Sequence, residues 1–232
     1  MKNIVLAVAV AANMMPAMDE IAREFYAQTG VELALTPGSS GKFVAQIQNG
    51  APFDVFVSAD MEFPEALAKD GFTDGPAVCY AHGSLILWSL RGADVSSLKA
   101  LDNSKTKKIA VADPKLAPYG RAAVEALKKA GVYDTIEKKL VYGESLSQVN
   151  QFVTSKAADA GLTARSIVET AQWRGKGVWT AVDPALHAPI DQGLVVTKLG
   201  AKRNPQLSRR LKDLLLGPTG RKILKKYGYS VP

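Results

Sequence analysis

The residues best suited to chemistry in this chain are small or hydroxylated. They recur where a strand-like run gives way to a helix-like one. Four such turns stand out: residues 11–13 (AAN), 38–41 (GSSG), 117–120 (APYG) and 143–147 (GESLS). The first turn of a helix leaves main-chain N–H groups without intrahelical acceptors and carries partial positive charge. Glycine and serine let an anion approach that backbone closely, and a hydroxyl or carboxamide adds a donor. In open α/β sheets the ligand sits beyond the carboxyl ends of the strands, where these turns lie. Several of them facing one site would enclose a small anion with neutral donors only. Each turn taken singly is also what capping an ordinary helix requires, since Ser, Asn and Gly are standard N-cap residues.

Other chemistries find little support. Residues 37–43 (PGSSGKF) approach a phosphate-binding P-loop, but Thr36 occupies the place of its first glycine. Phe43 replaces the Ser or Thr that would hold magnesium. Neither G-x-G-x-x-G nor G-x-S-x-G occurs. The single cysteine, Cys79, excludes an internal disulfide or a thiolate zinc cluster and is expected to act as a small apolar residue. The two histidines, His82 and His187, are far apart in sequence and form no recognisable nucleophile–base pair with it. Asp54 and Asp60 flank the run 55–57 and are read as turn and capping residues, because carboxylates would repel an anion. Met14, Met15 and Met18 read as core filler. Arg121, the cation closest in sequence to one of the anion turns, is expected to be exposed.

The elements that must position these turns alternate in type. Strand-like runs are expected at residues 4–10, 31–35, 55–57, 85–90, 108–111, 139–142, 178–182 and 193–197. Helix-like runs are expected at 17–28, 42–48, 64–69, 122–129, 148–155, 205–216 and 218–227. In the first helix Ala17, Ile21 and Phe25 recur every four residues, Asp19 and Glu20 suit its N-terminus, and Gly30 ends it. Such alternation predicts an α/β fold with parallel, doubly wound sheets. The apolar runs at 85–90 and 193–197 bracket the middle of the chain. This layout predicts two α/β lobes joined by two crossing strands: 1–82 plus 193–232, and 83–192.

Composition agrees with an ordinary globular protein. The chain has 232 residues, 47% hydrophobic and 22% charged, with mean hydropathy near zero. That length buries enough surface to fold without a metal or disulfide staple. No run of 18 apolar residues exists to span a membrane. The opening MKNIVLAVAVAA is read as a buried first strand rather than a signal peptide, since Lys2 is a thin basic region. If the protein is exported, its leader has already been removed. Lys and Arg outnumber Asp and Glu by 29 to 22, a formal charge of +7. The basic clusters (Lys105, Lys107 and Lys108; Arg209, Arg210 and Lys212; Arg221, Lys222, Lys225 and Lys226) lack interleaved aromatics. They read as solvated helix faces, the last two near helix C-termini, and no nucleic-acid partner is expected.

Residues 11–18 (AANMMPAM), 38–46 (GSSGKFVAQ), 49–60 (NGAPFDVFVSAD), 113–120 (DPKLAPYG) and the ending YGYSVP occur in an order that resembles the periplasmic molybdate-binding proteins. These are the solute receptors of bacterial ABC importers for molybdate and tungstate. The resemblance runs from the first strand to the last residues. It implies a type II periplasmic binding-protein fold, with the ligand cleft between the lobes and a tetrahedral oxyanion in it. The contacts it implies fall on Asn13 with the backbone around Ala12, on Ser40 with Ser39 beside it, on the turn at Tyr119, and on the backbone at Leu146. One branch of the family uses a tyrosine hydroxyl late in the second lobe, and the matching segment here, residues 161–164 (GLTA), lacks it. The other branch places a tyrosine in the A-P-Y-G turn, where Tyr119 stands, and Asn13 in place of the commoner serine matches that branch too.

The resemblance thus implies a monomeric, periplasmic or otherwise extracytoplasmic receptor with no cofactor, no catalytic residue and no direct metal ligand. Molybdate or tungstate is its cargo and the membrane permease of an ABC importer its partner. A receptor for another oxyanion or a small carboxylate on the same fold stays open, because one fold hosts many ligands. An effector-sensing domain is disfavoured by the lack of a helix-turn-helix before the first strand. An enzyme is disfavoured by the lack of a nucleophile–base pair.

Overall fold

The computed structural model describes residues 5–232, so Lys2 and Ile4, read above at the head of the first strand, lie outside them. The chain begins with β1 (Val5–Ala11), a short 3-10 turn (Ala12–Met14), α1 (Met15–Thr29), β2 (Glu32–Gly38), α2 (Ser40–Gln48), β3 (Val55–Val57), α3 (Glu62–Lys69) and β4 (Val78–His82). The middle holds β5 (Leu85–Ser89), β6 (Ile109–Ala112), α4 (Pro118–Lys129), α5 (Tyr133–Ile136), β7 (Leu140–Gly143), α6 (Leu146–Thr154), β8 (Ala160–Ala164), α7 (Arg165–Val168) and β9 (Val178–Ala181). Then come β10 (Asp191–Val196), α8 (Lys198–Arg203), α9 (Pro205–Leu216) and α10 (Pro218–Lys226). No helix among the described residues is long and apolar enough to cross a membrane.

These elements form two compact units. One comprises the residues up to His82 together with Asp191–Pro232, the other Gly83–Ile190. Each contains one five-stranded sheet, ordered β2-β1-β3-β10-β4 in the first and β7-β6-β8-β5-β9 in the second. The sheets are mixed rather than wholly parallel. β1 pairs in parallel with β2 and β3, whereas β10 runs antiparallel to β3 and β4. β6 pairs in parallel with β7 and β8, and β5 runs antiparallel to β8 and β9. β10 begins at Asp191 rather than at 193, because Asp191 and Gln192 already pair with His82 and Ala81 of β4. That pairing draws both residues into the first unit.

The apolar strands of the first unit pack on both faces. In the first unit Leu6, Val8 and Val10 of β1, Val55 and Val57 of β3, and Leu194 and Val196 of β10 share a core with Ala17, Ile21 and Phe25 of α1 and with α9 and α10. The alternate residues Ala9, Phe56 and Val195 face Phe43 and Ile47 of α2 and Leu67 of α3 on the other side. Gly30 ends α1 with a left-handed φ of 67° and an N–H bonded to Tyr26 O at 2.7 Å. Met14 and Met18 are fully buried.

Several local expectations needed correction. Asp19 and Glu20 sit in the second turn of α1, because the helix opens at Met15 with Pro16 behind it. Glu20 instead receives Lys226 Nζ at 2.7 Å and the Tyr227 hydroxyl. Arg209, Arg210 and Lys212 lie within α9 but not in its last turn, whereas Lys225 and Lys226 do close α10. Two strands carry no apolar run that would announce them. β8 reads AGLTA because α6 rests directly on it: a Cβ at Gly161 would lie 2.6 Å from Val153 Cγ2. β4 is half-buried at an edge of its sheet.

Asp54 does more than turn the chain. It is fully buried, accepts Ala7 N–H at 2.8 Å, and forms a two-pronged pair with Arg203 at 2.8 and 3.1 Å. Its main-chain carbonyl closes on Gly200, where a Cβ would come within 2.2 Å. One carboxylate therefore ties β1, β3 and α8 together. Arg203→Met strips this buried charge of its counter-ion and is expected to cost on the order of 3 kcal/mol. Urea unfolding reads that as a lowered midpoint, and an unshifted midpoint would show that the pair is dispensable.

Candidate functional site

The turn residues singled out in the sequence gather at strand ends within each unit. In the first, parallel β1 and β2 place Ala11 opposite Gly38, so the turns carrying Ala12, Asn13, Ser39 and Ser40 leave one edge of the sheet together. Just past β3, Ala59 donates its N–H to Ser40 Oγ at 3.0 Å. In the second unit, parallel β6 and β7 place Ala112 opposite Gly143, and Asp113 N–H donates to Gly143 O at 2.7 Å. The turns leading to Tyr119 and Leu146 therefore leave that sheet side by side as well.

Capping does not explain these residues. Ser39 occupies the N-cap position of α2 in extended conformation, yet its side chain makes no cap bond. Ser145 at the head of α6 makes none either. Elsewhere the fold caps conventionally: Thr197 Oγ1 accepts Gly200 N–H at 2.9 Å, and Asp183 accepts Ala185 N–H. Ser39 Oγ is instead buried with no hydrogen-bond partner among the described residues, a state that costs free energy unless a ligand or water relieves it. Ser40 is 1% exposed. Its oxygen accepts from Ala59, and its own O–H finds no acceptor among the described residues.

Asn13 is held differently. It is buried, and its Nδ2 donates to Gln192 Oε1 at 2.7 Å and to the Tyr229 hydroxyl at 3.0 Å. Tyr229 donates in turn to Asn13 O at 2.8 Å. Tyr80 Oη lies 2.9 Å from the same Gln192 oxygen and 2.8 Å from Ser58 O. Sequence reasoning missed Tyr80, Gln192 and Tyr229, because residues this distant in the chain carry no local signal. The YGYSVP ending was visible as a pattern but not as a role.

In the second unit Pro118 opens α4, and Gly120 and Arg121 turn their N–H groups back to Ala117 O. Tyr119, 1% exposed, stands between them, its N–H ahead of the intrahelical ladder. Gly120 is required by contact rather than by φ: a Cβ there would lie 2.3 Å from Ala112 O. At α6 the N–H groups of Gln148 and Val149 return to Ser145 O, which leaves those of Leu146 and Ser147 ahead of the ladder. Arg121 is half-buried rather than exposed.

The cysteine, the histidines and Asp60 each have identifiable local surroundings. Burial, reinforced by the Asp191 carboxylate, pushes the Cys79 thiol up and away from the thiolate a nucleophile needs. His82 Nδ1 lies 2.6 Å from Asp191 Oδ1, and His187 Nδ1 lies 2.7 Å from Ala188 O. Asp60 behaves as a capping residue, accepting from Ser58 Oγ and Phe63 N–H. No group of three His, Cys, Asp or Glu side chains that could hold a metal ion occurs among the described residues.

Comparison with known proteins bears on what such donor sets serve. The family model for bacterial extracellular solute-binding proteins matches residues 6–230. The molybdate-binding protein ModA of Azotobacter vinelandii is 40% identical over 227 residues, covering 97% of this chain and 89% of the relative. That of Rhodobacter capsulatus is 40% identical over 222 residues, covering 95% and 86%. The solved structure of the Azotobacter vinelandii periplasmic molybdate-binding protein superposes with a TM-score of 0.90 at 32% identity, over 98% of this chain and 99% of that one.

Gly120→Ala must lift the start of α4 from β6. The expected cost is about 1–3 kcal/mol, the usual range for forcing a methyl into a filled space. Urea unfolding checks it, and an unchanged midpoint would mean that the Tyr119 turn is not held against the strand.

Proposed function

The chain belongs to the family of bacterial extracellular solute-binding proteins, and on that premise we propose that it binds molybdate and hands it to the membrane permease of an ABC importer. The supporting observation is the pair of serines ahead of α2. A buried Ser39 hydroxyl without a partner and a Ser40 hydroxyl with an undonated proton are what a fully desolvated anion would satisfy. The 40% identity to two molybdate-binding proteins across nearly the whole chain names the anion.

In this reading the ion is held by neutral donors alone, through short charge-assisted hydrogen bonds. Ser39 and Ser40 contribute hydroxyls, and Ala12 and Asn13 contribute main-chain N–H groups, because the Asn13 carboxamide nitrogen is committed to Gln192 and Tyr229. In the second unit the first-turn N–H groups at Tyr119 and Leu146 are donors of the same kind. Tungstate, nearly identical in size and charge, binds as well, whereas the smaller sulfate is rejected. No cofactor, bound metal cation or covalent step is required. The protein works as an extracytoplasmic monomer and turns over no substrate.

Calorimetry of ligand-stripped protein tests this directly: one-to-one binding of molybdate and tungstate with sulfate silent is expected. Silence from molybdate, or a preference for sulfate or phosphate, would overturn the ligand assignment and leave the fold intact. Ser40→Ala is expected to weaken molybdate binding by about 1–3 kcal/mol, the cost of leaving a buried charged acceptor short of one donor. Unchanged affinity would remove Ser40 from the site. Tyr119→Phe separates the phenol from the backbone, since a main-chain contact alone predicts an affinity unchanged within error.

A further inference from the structure

Discrimination between tetrahedral anions of one charge is a matter of a fraction of an ångström in bond length. A pocket can sort them only if its donors do not follow the smaller ion inward. Resting on the function proposed above, we propose that Tyr229 and Gln192 are positioning residues that hold the Asn13 turn rigid and thereby set the preference for molybdate over sulfate.

The turn at Ala12–Met14 has little stiffness of its own. It is three residues of 3-10 helix with no side-chain cap, and 3-10 hydrogen bonds are poorer than α-helical ones. What pins it comes from far away in sequence. The Tyr229 hydroxyl closes a ring on a single residue, donating to Asn13 O at 2.8 Å and accepting from Asn13 Nδ2 at 3.0 Å. Gln192 Oε1 takes the other carboxamide proton at 2.7 Å. Gln192 lies on the alternating face of β10 that carries Leu194 and Val196 into the core, and β4 bulges opposite it, Tyr80 being the extra residue where the register shifts between Gln192 and Gly193. Gly193 is itself wedged, a Cβ there meeting Met61 Sδ at 2.7 Å and Asp60 O at 3.0 Å, so the bulge cannot relax.

Each member of the cluster is nearly or wholly shielded: Asn13 is 3% exposed, Gln192 0%, Tyr80 1% and Tyr229 5%. Hydrogen bonds sealed from water do not exchange with it, and a network with its members mutually bonded rigidifies the segment it holds. The main-chain N–H groups of Ala12 and Asn13 are then donors at a fixed radius. Without the ring the turn can shift inward, molybdate loses part of its fit, and sulfate gains.

The test is Tyr229→Phe, which removes only the hydroxyl, measured by calorimetric titration with molybdate and by sulfate competition. Tyr227→Phe is the control. It deletes the same group two residues earlier, where the hydroxyl meets Glu20 instead of Asn13. The expected result is a folded Tyr229→Phe variant whose molybdate-to-sulfate affinity ratio falls about tenfold, the worth of one net hydrogen bond, with the ratio of Tyr227→Phe unchanged. A loss of both affinities in equal proportion, or no change in either, overturns the inference, because a purely structural role moves both anions together. Should Tyr229→Phe not fold, Gln192→Met withdraws the second acceptor and is read by the same ratio. If the unsubstituted chain binds no molybdate, the proposed function fails first; if it does and the ratio holds in the variants, only this inference falls.

Discussion

One register carries the first unit's chemistry: Ala11 opposite Gly38 in parallel β1 and β2. Parallel neighbours end at the same edge of a sheet, so the chain turns that follow them start together. Because a helical turn follows each strand within two residues, the first-turn N–H groups are delivered where no helix can satisfy them. The second unit repeats the pairing with Ala112 opposite Gly143, its helices opening further on at Pro118 and Leu146. A shift of the β1–β2 register by one residue would turn Leu33 and Leu35 of β2 away from the core they pack against. The packing of the core therefore holds the donors in place.

The rest of the structure secures those strand ends from behind. Asp54 joins β1, β3 and α8 through a buried carboxylate. Ala59 orients the Ser40 hydroxyl by donating to its oxygen, which leaves the proton for something else. Gly120 lets α4 begin in contact with the end of β6. Gln192 and Tyr229 hold Asn13, and Tyr80 bonds Gln192 in turn, from three separate stretches of chain. Neutral donors need such support, because weak donors are useful to a buried anion only when they are already in position.

Much of this was legible in the residues. The alternation of apolar runs with amphipathic ones located most strands and the longer helices, since burial on two faces or on one leaves different periods. Gly30 and Pro205 marked helix ends for stereochemical reasons that act within a few residues, whereas α4 opens at Pro118, ahead of the expected start at 122. The small and hydroxylated turns were visible for the same reason. The strands at 78–82 and 160–164 were not, because the first is a half-buried edge and the second is built from small residues that only the pressure of α6 explains.

What the sequence determined by itself was local: which segments are strand or helix, where they start and stop, and which turns can present donors. Its order of motifs also carried the family. The tertiary structure alone decided that two sheets are mixed rather than parallel, since the direction of β5 and β10 depends on where the chain re-enters each sheet. It alone decided that Ser39 and Ser40 are not caps, because capping is settled by a few tenths of an ångström between side chain and backbone. It alone brought Gln192 and Tyr229 to Asn13, separated by 179 and 216 residues along the chain. Hydrogen bonds of that span leave no periodicity behind, and only the folded packing of β1, β10 and the C-terminal segment makes them.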